Sequence, residues 1–331
     1  MRKGVAVVAA ALLLVAGCTR EKKDAPEPEP SPDLTGKPRA VAVNEGPFSA
    51  GPYQPPARGA YFGAWIKPDE LTHIGRITAV GGLEESLGRK LDFINTYRRF
   101  DQMMGTPSDQ EFLDQGANLM ISWATGDNRS ILAGEHDKLI RSQARAIRKI
   151  KKPVMLRMRW EMDRPNLRAT MWSGADYIAA WKYVREIFRK ERADNVSWVW
   201  CPTAEGFIRG EAPDFYPGDD QVDWTCVDVY AGFEFQPIGK LMGPFLDWAA
   251  QRPKPIVIGE FGVAKAWGSA SRVAWLKDAE RTFKANRQIK AVAYFESDPE
   301  GNGPNQQFQL MGDTAAFRAL NKLVRDPYFN P

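Results

Sequence analysis

From about residue 60 onward the chain alternates short apolar runs with amphipathic ones eight times, and few architectures accept that order. Strands are expected at 60–66, 93–100, 118–124, 154–160, 196–200, 222–230, 256–261 and 289–295. Helical spacing fits near 83–90, 108–115, 135–149, 175–192, 240–250, 271–285 and 314–324, with only short helical turns between the fifth and sixth strands. Eight βα pairs over about 270 residues predict one (β/α)8 TIM barrel. The rival, an open doubly wound sheet, would carry a Gly-rich phosphate loop after an early strand, and the sequence has none.

The fourth run, Pro153 to Asp163, carries the most chemistry. Val154, Leu156 and Met158 alternate with Arg157, Arg159 and Glu161, giving one oily and one ionic face. In a barrel strand the ionic face points into the mouth, which puts Glu161 at the C-terminal rim where such barrels keep their active sites. A partly exposed strand with a surface glutamate explains this stretch alone equally well. A second glutamate, Glu260, ends the seventh run in an equivalent place and tips the balance toward the barrel mouth.

Residue inventory narrows the chemistry. The only histidines are His73, expected in an early loop, and His136, near a helix start, so a Ser-His-Asp triad or a histidine-based zinc site is hard to assemble. Two carboxylates about 5 to 5.5 Å apart can instead hydrolyse a glycosidic bond with retention, one as nucleophile and one as acid/base. Mutual repulsion would then raise the pKa of the acid. No cofactor is implied, and no ligand cluster suggests a metal.

Composition bounds the partners. With 44% hydrophobic and 26% charged residues the chain can bury a large core. Without residues 1–17 it carries 43 basic against 41 acidic side chains, too balanced for a nucleic-acid platform. Residues 1–17 have a basic start, an apolar run and a small-residue end, a secretory signal too short to span a bilayer comfortably. Residues 18–58 are rich in Pro, Glu, Lys and Asp and are expected to be a disordered tether, leaving 59–331 as the folded domain. Cys201 and Cys226 fall in neighbouring expected strands, with Cys226 on the inward parity and Cys201 on the outward, so two buried thiols are expected rather than a bridge. A monomer is expected.

Eleven tryptophans are many for this length. Trp160, Trp172, Trp200 and Trp267 fall at or just beyond strand tips, where flat rings could stack on sugar faces. Trp181, Trp248 and Trp275 lie on helices and are expected in the core. Trp65 and Trp123 fit packing and binding equally well.

Two resemblances add to this reading. Leu14-Val-Ala-Gly-Cys18 resembles a bacterial lipobox, which implies that Cys18 is lipidated and anchors an exported protein to a membrane. Arg157-Met-Arg-Trp-Glu161-Met-Asp163, Trp172-Ser-Gly174, Asn195-Val-Ser-Trp-Val-Trp-Cys-Pro202, Phe215-Tyr-Pro-Gly218 through Tyr230, and Pro255-Ile-Val-Ile-Gly-Glu-Phe-Gly262 together resemble glycoside hydrolase family 26, typified by retaining endo-β-mannanases. The resemblance covers roughly 60–323. It implies a polysaccharide substrate, Glu161 as acid/base, Glu260 as nucleophile, and Tyr230 with its hydroxyl near that nucleophile. Arg157 matches the family's arginine and, pointing inward, needs a carboxylate partner such as Asp228 or Glu260.

The chain departs from the family at Trp160, where a histidine is usual, at Asp163 and Arg164, where Asn-Gly is usual, and at Thr203. Since such positions touch substrate, the sugar preference is open, and Asp163 joins the binding candidates. Alternatives are a glycan-binding surface protein without turnover, or a hydrolase of another β-glucan, xylan or envelope glycan.

Overall fold

The computed structural model describes residues 34–38, 40–41 and 46–331. The expected signal over 1–17, Cys18 and most of the tether lie outside the described residues.

Eight strands close into a barrel in chain order. They are β1 (Tyr61–Ile66), β2 (Phe93–Arg99), β3 (Asn118–Ala124), β4 (Val154–Met158), β5 (Val196–Trp200), β6 (Trp224–Ala231), β7 (Ile256–Val263) and β8 (Ile289–Glu296). Every pairing is parallel, and β1 closes on β8 through six partner pairs from Tyr61↔Ala291 to Ile66↔Glu296. The expected (β/α)8 barrel is thus present.

Helices pack around it where the 3.6-residue period placed them, among them Asp137–Ile150, Gly174–Lys190, Gly268–Ala285 and Thr314–Arg325. Two of these starts are capped by side chains: the Ser173 hydroxyl accepts the Asp176 N–H and the Asp313 carboxylate accepts that of Ala316. The first helix, His73–Leu87, begins ten residues before its expected start, so His73 stands on a helix rather than in a loop. Thr72 caps it, and the periodic patch at 83–90 was its C-terminal half. Among the described residues, no helix is long and apolar enough to cross a membrane.

Strand parity divides the core in two. Val154, Leu156 and Met158 face outward into the layer under the helices, with Trp181, Trp275 and Phe283, while Met155 faces the barrel axis with Phe93, Met120, Val199, Trp224 and Val257. Trp181 and Trp275 are core residues as expected, and Trp123 is buried packing as well.

Two expectations are corrected here. Cys201 and Cys226 are joined by a disulfide. The register Val199↔Trp224 and Trp200↔Thr225, carried one step on, sets the two cysteines opposite each other, both on the inward parity. The tether also ends earlier than composition suggested, because Ala50 and Tyr53 are buried at the foot of the barrel. Ser197 Oγ accepts the Tyr53 N–H at 2.8 Å and donates to the Ala50 carbonyl at 2.8 Å, while the Trp224 indole donates to both the Ala50 and Tyr53 carbonyls. Few residues are needed to close one end of a narrow barrel, so a segment of mean polar character still supplies the plug.

Candidate active site

The site occupies the C-terminal mouth of the barrel, and its floor is an ion-pair cluster built from β4, β6 and β7 with support from β2 and β3. Arg157 on β4 points inward and is fully buried; its Nη1 donates to Asp228 Oδ1 on β6 at 2.8 Å, its Nη2 donates to Glu260 Oε1 on β7, and its Nε donates to Ser122 Oγ on β3 at 2.9 Å. Ser122 in turn donates to Asn95 Oδ1 at 2.7 Å, and Asn95 Nδ2 donates to the Tyr97 hydroxyl at 3.1 Å. Tyr97 then donates to Glu260 Oε1, and Tyr230 donates to Oε2. Both oxygens of Glu260 are therefore held by donors.

A bulge aims Glu260 into this network. Val227 pairs with Ile258 but Asp228 pairs with Glu260, so Gly259 is an extra residue in β7. Strict alternation from inward Val257 would turn Glu260 out, whereas the extra residue turns Glu260 in and leaves Phe261 to pack outward on Trp275. Only glycine fits there, because a Cβ would lie 2.3 Å from Arg157 Nη1 and 2.7 Å from Asp228 Oδ1.

Glu161 reaches the site by a different route from the expected one. β4 ends at Met158, and both Arg159 (φ 44°) and Glu161 (φ 55°) adopt left-handed backbone. Such conformations cost about 1–2 kcal/mol per non-glycine residue. Neighbouring strands hold the turn: the Arg159 N–H donates to the Trp123 carbonyl at 2.8 Å and the Glu161 N–H to the Cys201 carbonyl at 2.7 Å. The side chain that results is 14% exposed, with Oε2 accepting from Arg164 Nη1 at 2.7 Å. Carboxylate oxygens of Glu161, Asp228 and Glu260 lie within 4.8 Å of one another.

Electrostatics separate the two glutamates. Burial pushes Glu161 up to about 7, and the nearby Glu260 charge adds to the rise while Arg164 opposes it. Burial alone would lower the Arg157 guanidinium, but the charges of Asp228 and Glu260 outweigh it and keep Arg157 charged. Burial and then the Glu260 charge raise Tyr97 and Tyr230 well above their ordinary values, so both remain hydroxyl donors. The ion-pair counter-charges at this acidic cluster are Arg157 and Arg164, and Arg159 lies within electrostatic reach of Glu161.

The remaining candidates divide. Trp160 stands at the mouth, half-buried, with its ring 5.0 Å from that of Tyr97. Trp172 is exposed on the rim, its indole N–H on Asp127 at 2.7 Å and Arg129 4.0 Å over one face. Trp267 is half-buried; its indole donates to the Ala231 and Gly232 carbonyls and braces the loop after β6.

Three assignments to substrate are corrected. Trp200 faces outward and is fully buried against Tyr216 and Trp248, so it offers no ring to a sugar. Asp163 is buried and accepts the Thr203 hydroxyl at 2.6 Å and its N–H at 3.0 Å, tying the loop after β4 to that after β5. Arg157 lies beneath the carboxylates and has the partners expected of it, but no surface for substrate. The histidines stand apart: His73 contacts Ser108, and His136 contacts Ser130.

Sequence reasoning missed Tyr97, Asn95 and Ser122. A signal existed, since Asn95 and Tyr97 share one parity of an expected barrel strand, but it became specific only once Glu260 was set across from them.

The sequence model of glycosyl hydrolase family 26 matches residues 113–246. Among curated proteins, Endoglucanase H of Acetivibrio thermocellus is 27% identical over 261 residues, 72% of this chain and 28% of that protein. A β-1,3-xylanase of a Vibrio species is 28% identical over 144 residues, 41% of this chain and 29% of that protein. The chain thus spans under a third of the length of these relatives. Among solved structures, a family 26 β-mannanase from Bacteroides ovatus superposes with a TM-score of 0.61 at 16% identity, covering 82% of this chain and 90% of that one. The catalytic domain of a Bacillus endo-β-1,4-mannanase gives 0.61 at 16% identity, covering 82% and 87%. These structural likenesses speak for the barrel, and the sequence model speaks for the lineage. Over residues 113–246 the chain carries the sequence pattern of glycosyl hydrolase family 26.

Proposed function

We propose that the protein is a retaining, endo-acting hydrolase of a β-linked polysaccharide, with β-mannan the first candidate backbone and β-glucan and β-xylan next. The observation that carries this reading is the approach of Glu161 and Glu260 to within 4.8 Å, close to the separation used for double displacement. Glu260, ionised, attacks the anomeric carbon while protonated Glu161 gives its proton to the departing glycosidic oxygen. The glycosyl ester on Glu260 is then cleaved by water, whose proton returns to Glu161. Arg157, Tyr97 and Tyr230 hold the Glu260 carboxylate in place before and after the ester exists.

β-Mannan leads because the superposed structures are described as β-mannanases, whereas the curated relatives are named an endoglucanase and β-1,3-xylanases. Export and anchoring through a lipidated Cys18 complete the proposal, placing the barrel outside the cytoplasm, where polymers too large to import are met. The test is product analysis on mannan, glucan and xylan, with NMR of the newly released anomer. Inversion of configuration, or failure of a 2-fluoro sugar to label Glu260, would overturn the mechanism.

A second reading, glycan binding without turnover, draws support from the Glu161–Arg164 pair, which favours the ionised rather than the acidic form of Glu161. Release of reducing ends distinguishes the two.

A further inference from the structure

Arg164 is placed unlike any other arginine of the loops after β3, β4 and β5. Arg168 and Arg209 share Glu211 at 3.1 and 2.9 Å, and Arg129 faces Asp176 at 3.5 Å. Each of those cations has a carboxylate with no part in the chemistry. The ion-pair partner of Arg164 is Glu161, the group proposed to donate the proton, and the guanidinium remains 46% exposed at the mouth.

Pairing and proton donation exclude each other. Once Glu161 carries the proton it needs for the first step, its attraction for Arg164 is gone, and a half-exposed ion pair is easily exchanged. Arg159 adds a second positive charge within electrostatic reach of both Glu161 and Arg164, and its buried Nε has no hydrogen-bond partner. Once Glu161 is protonated, the exposed Arg164 guanidinium loses its ion-pair partner, while Arg159 keeps a second positive charge nearby. Glu260, Tyr97 and Tyr230 occupy the side of the sugar that becomes esterified, so the vacant charge lies toward the departing sugar. A planar guanidinium fork matches the oxygens of a carboxylate or a sulfate ester in pairs.

We propose that Arg164 receives an anionic group, a carboxylate or a sulfate ester, on the sugar at the leaving side of the scissile bond, which makes the substrate of this site an acidic β-glycan. This rests on the hydrolase reading for the direction of the departing sugar. On binding, the anion takes Arg164 away from Glu161 and leaves the acid free to hold its proton, so an acidic substrate completes the site that a neutral one leaves self-paired.

Binding can be measured without turnover. The variant Glu161→Gln keeps the shape of the side chain and removes the charge that occupies Arg164. Its affinity by calorimetry is compared for β-1,4-mannohexaose, the same oligosaccharide oxidised at C6 to carboxylates, and its O-sulfated form, with the cellohexaose series in parallel. The anionic forms are expected to bind at least tenfold more tightly than the neutral one, with the carboxylate and sulfate arms showing which anion is read. The preference should vanish in Glu161→Gln/Arg164→Gln. Equal affinity for neutral and anionic forms, a preference that survives removal of Arg164, or no binding in any arm overturns the proposal. Product release by the unmodified protein reports separately on hydrolysis: neutral glycan cleaved without anion preference sinks only this inference, and anion preference without cleavage sinks only the hydrolase reading.

Discussion

Glu161 and Glu260, 99 positions apart in the chain, bring carboxylate oxygens within 4.8 Å while standing in opposite environments. Glu260 accepts from Arg157 and from the hydroxyls of Tyr97 and Tyr230, whereas Glu161 is pushed up to about 7 and accepts from Arg164. The proposed nucleophile and acid are thus distinguished by their surroundings, since the two side chains are chemically identical.

Replacing Glu161 by Gln should cut turnover of a natural glycan by about 10²–10⁴-fold, the usual worth of a positioned general acid. An aryl glycoside with a good leaving group needs no proton in the first step, so its glycosylation should be nearly unaffected. Burst kinetics would show this, and equal losses on both substrates would contradict the assignment.

Tyr97→Phe and Tyr230→Phe should each lower kcat/KM by roughly 10- to 100-fold, because a hydrogen bond to a charged group is worth about 1.5–3 kcal/mol. Tyr97 is the more discriminating test, as sequence alone gave it no role. An unchanged kcat/KM in Tyr97→Phe would show that the bond to Glu260 contributes nothing to the reaction.

The pH profile of kcat/KM should fall about tenfold per unit on its alkaline side, from about pH 7, as Glu161 loses its proton. Arg164 favours the ionised form, so Arg164→Gln should move that limb to higher pH and leave the acid limb in place. A limb that stays where it was would separate Arg164 from the acid.

Arg157→Met should destabilise the protein by about 3–5 kcal/mol, because Asp228 and Glu260 would remain buried without their cation. Adding Asp228→Asn should restore part of that loss in urea unfolding. A double variant no more stable than the single one would place the loss in packing rather than charge.

Glu296, at the end of β8, offers a stability test away from the chemistry. Burial pushes it up to about 7, only partly opposed by the N–H groups of Leu310 and Met311 on Oε1, while Oε2 has no partner. Its folded pKa is raised above the ordinary carboxyl value, so it adds no penalty below about pH 4.5 and destabilises progressively as pH rises to about 7. Glu296→Gln should therefore be about 1–3 kcal/mol more stable than the parent at pH 8 and show little gain at pH 4.5. A gain independent of pH would assign the effect to packing.

The sequence by itself determined the barrel and the rim on which Glu161 and Glu260 stand, because hydrophobic period is local and eight βα alternations leave few ways to bury the apolar faces. It also put Arg157 and Tyr230 on their inward parity. Only the tertiary structure decided how those side chains meet. The bulge at Gly259 reverses the parity of β7, and the left-handed turn at Arg159 and Glu161 depends on carbonyls of Trp123 and Cys201. Cys201 finds Cys226 through a register set by two strands, and Tyr97 reaches Glu260 across 163 positions of chain. Periodicity sees neighbours a few residues apart, whereas register, bulges and the pairing of buried charges are settled between strands, after the barrel has closed.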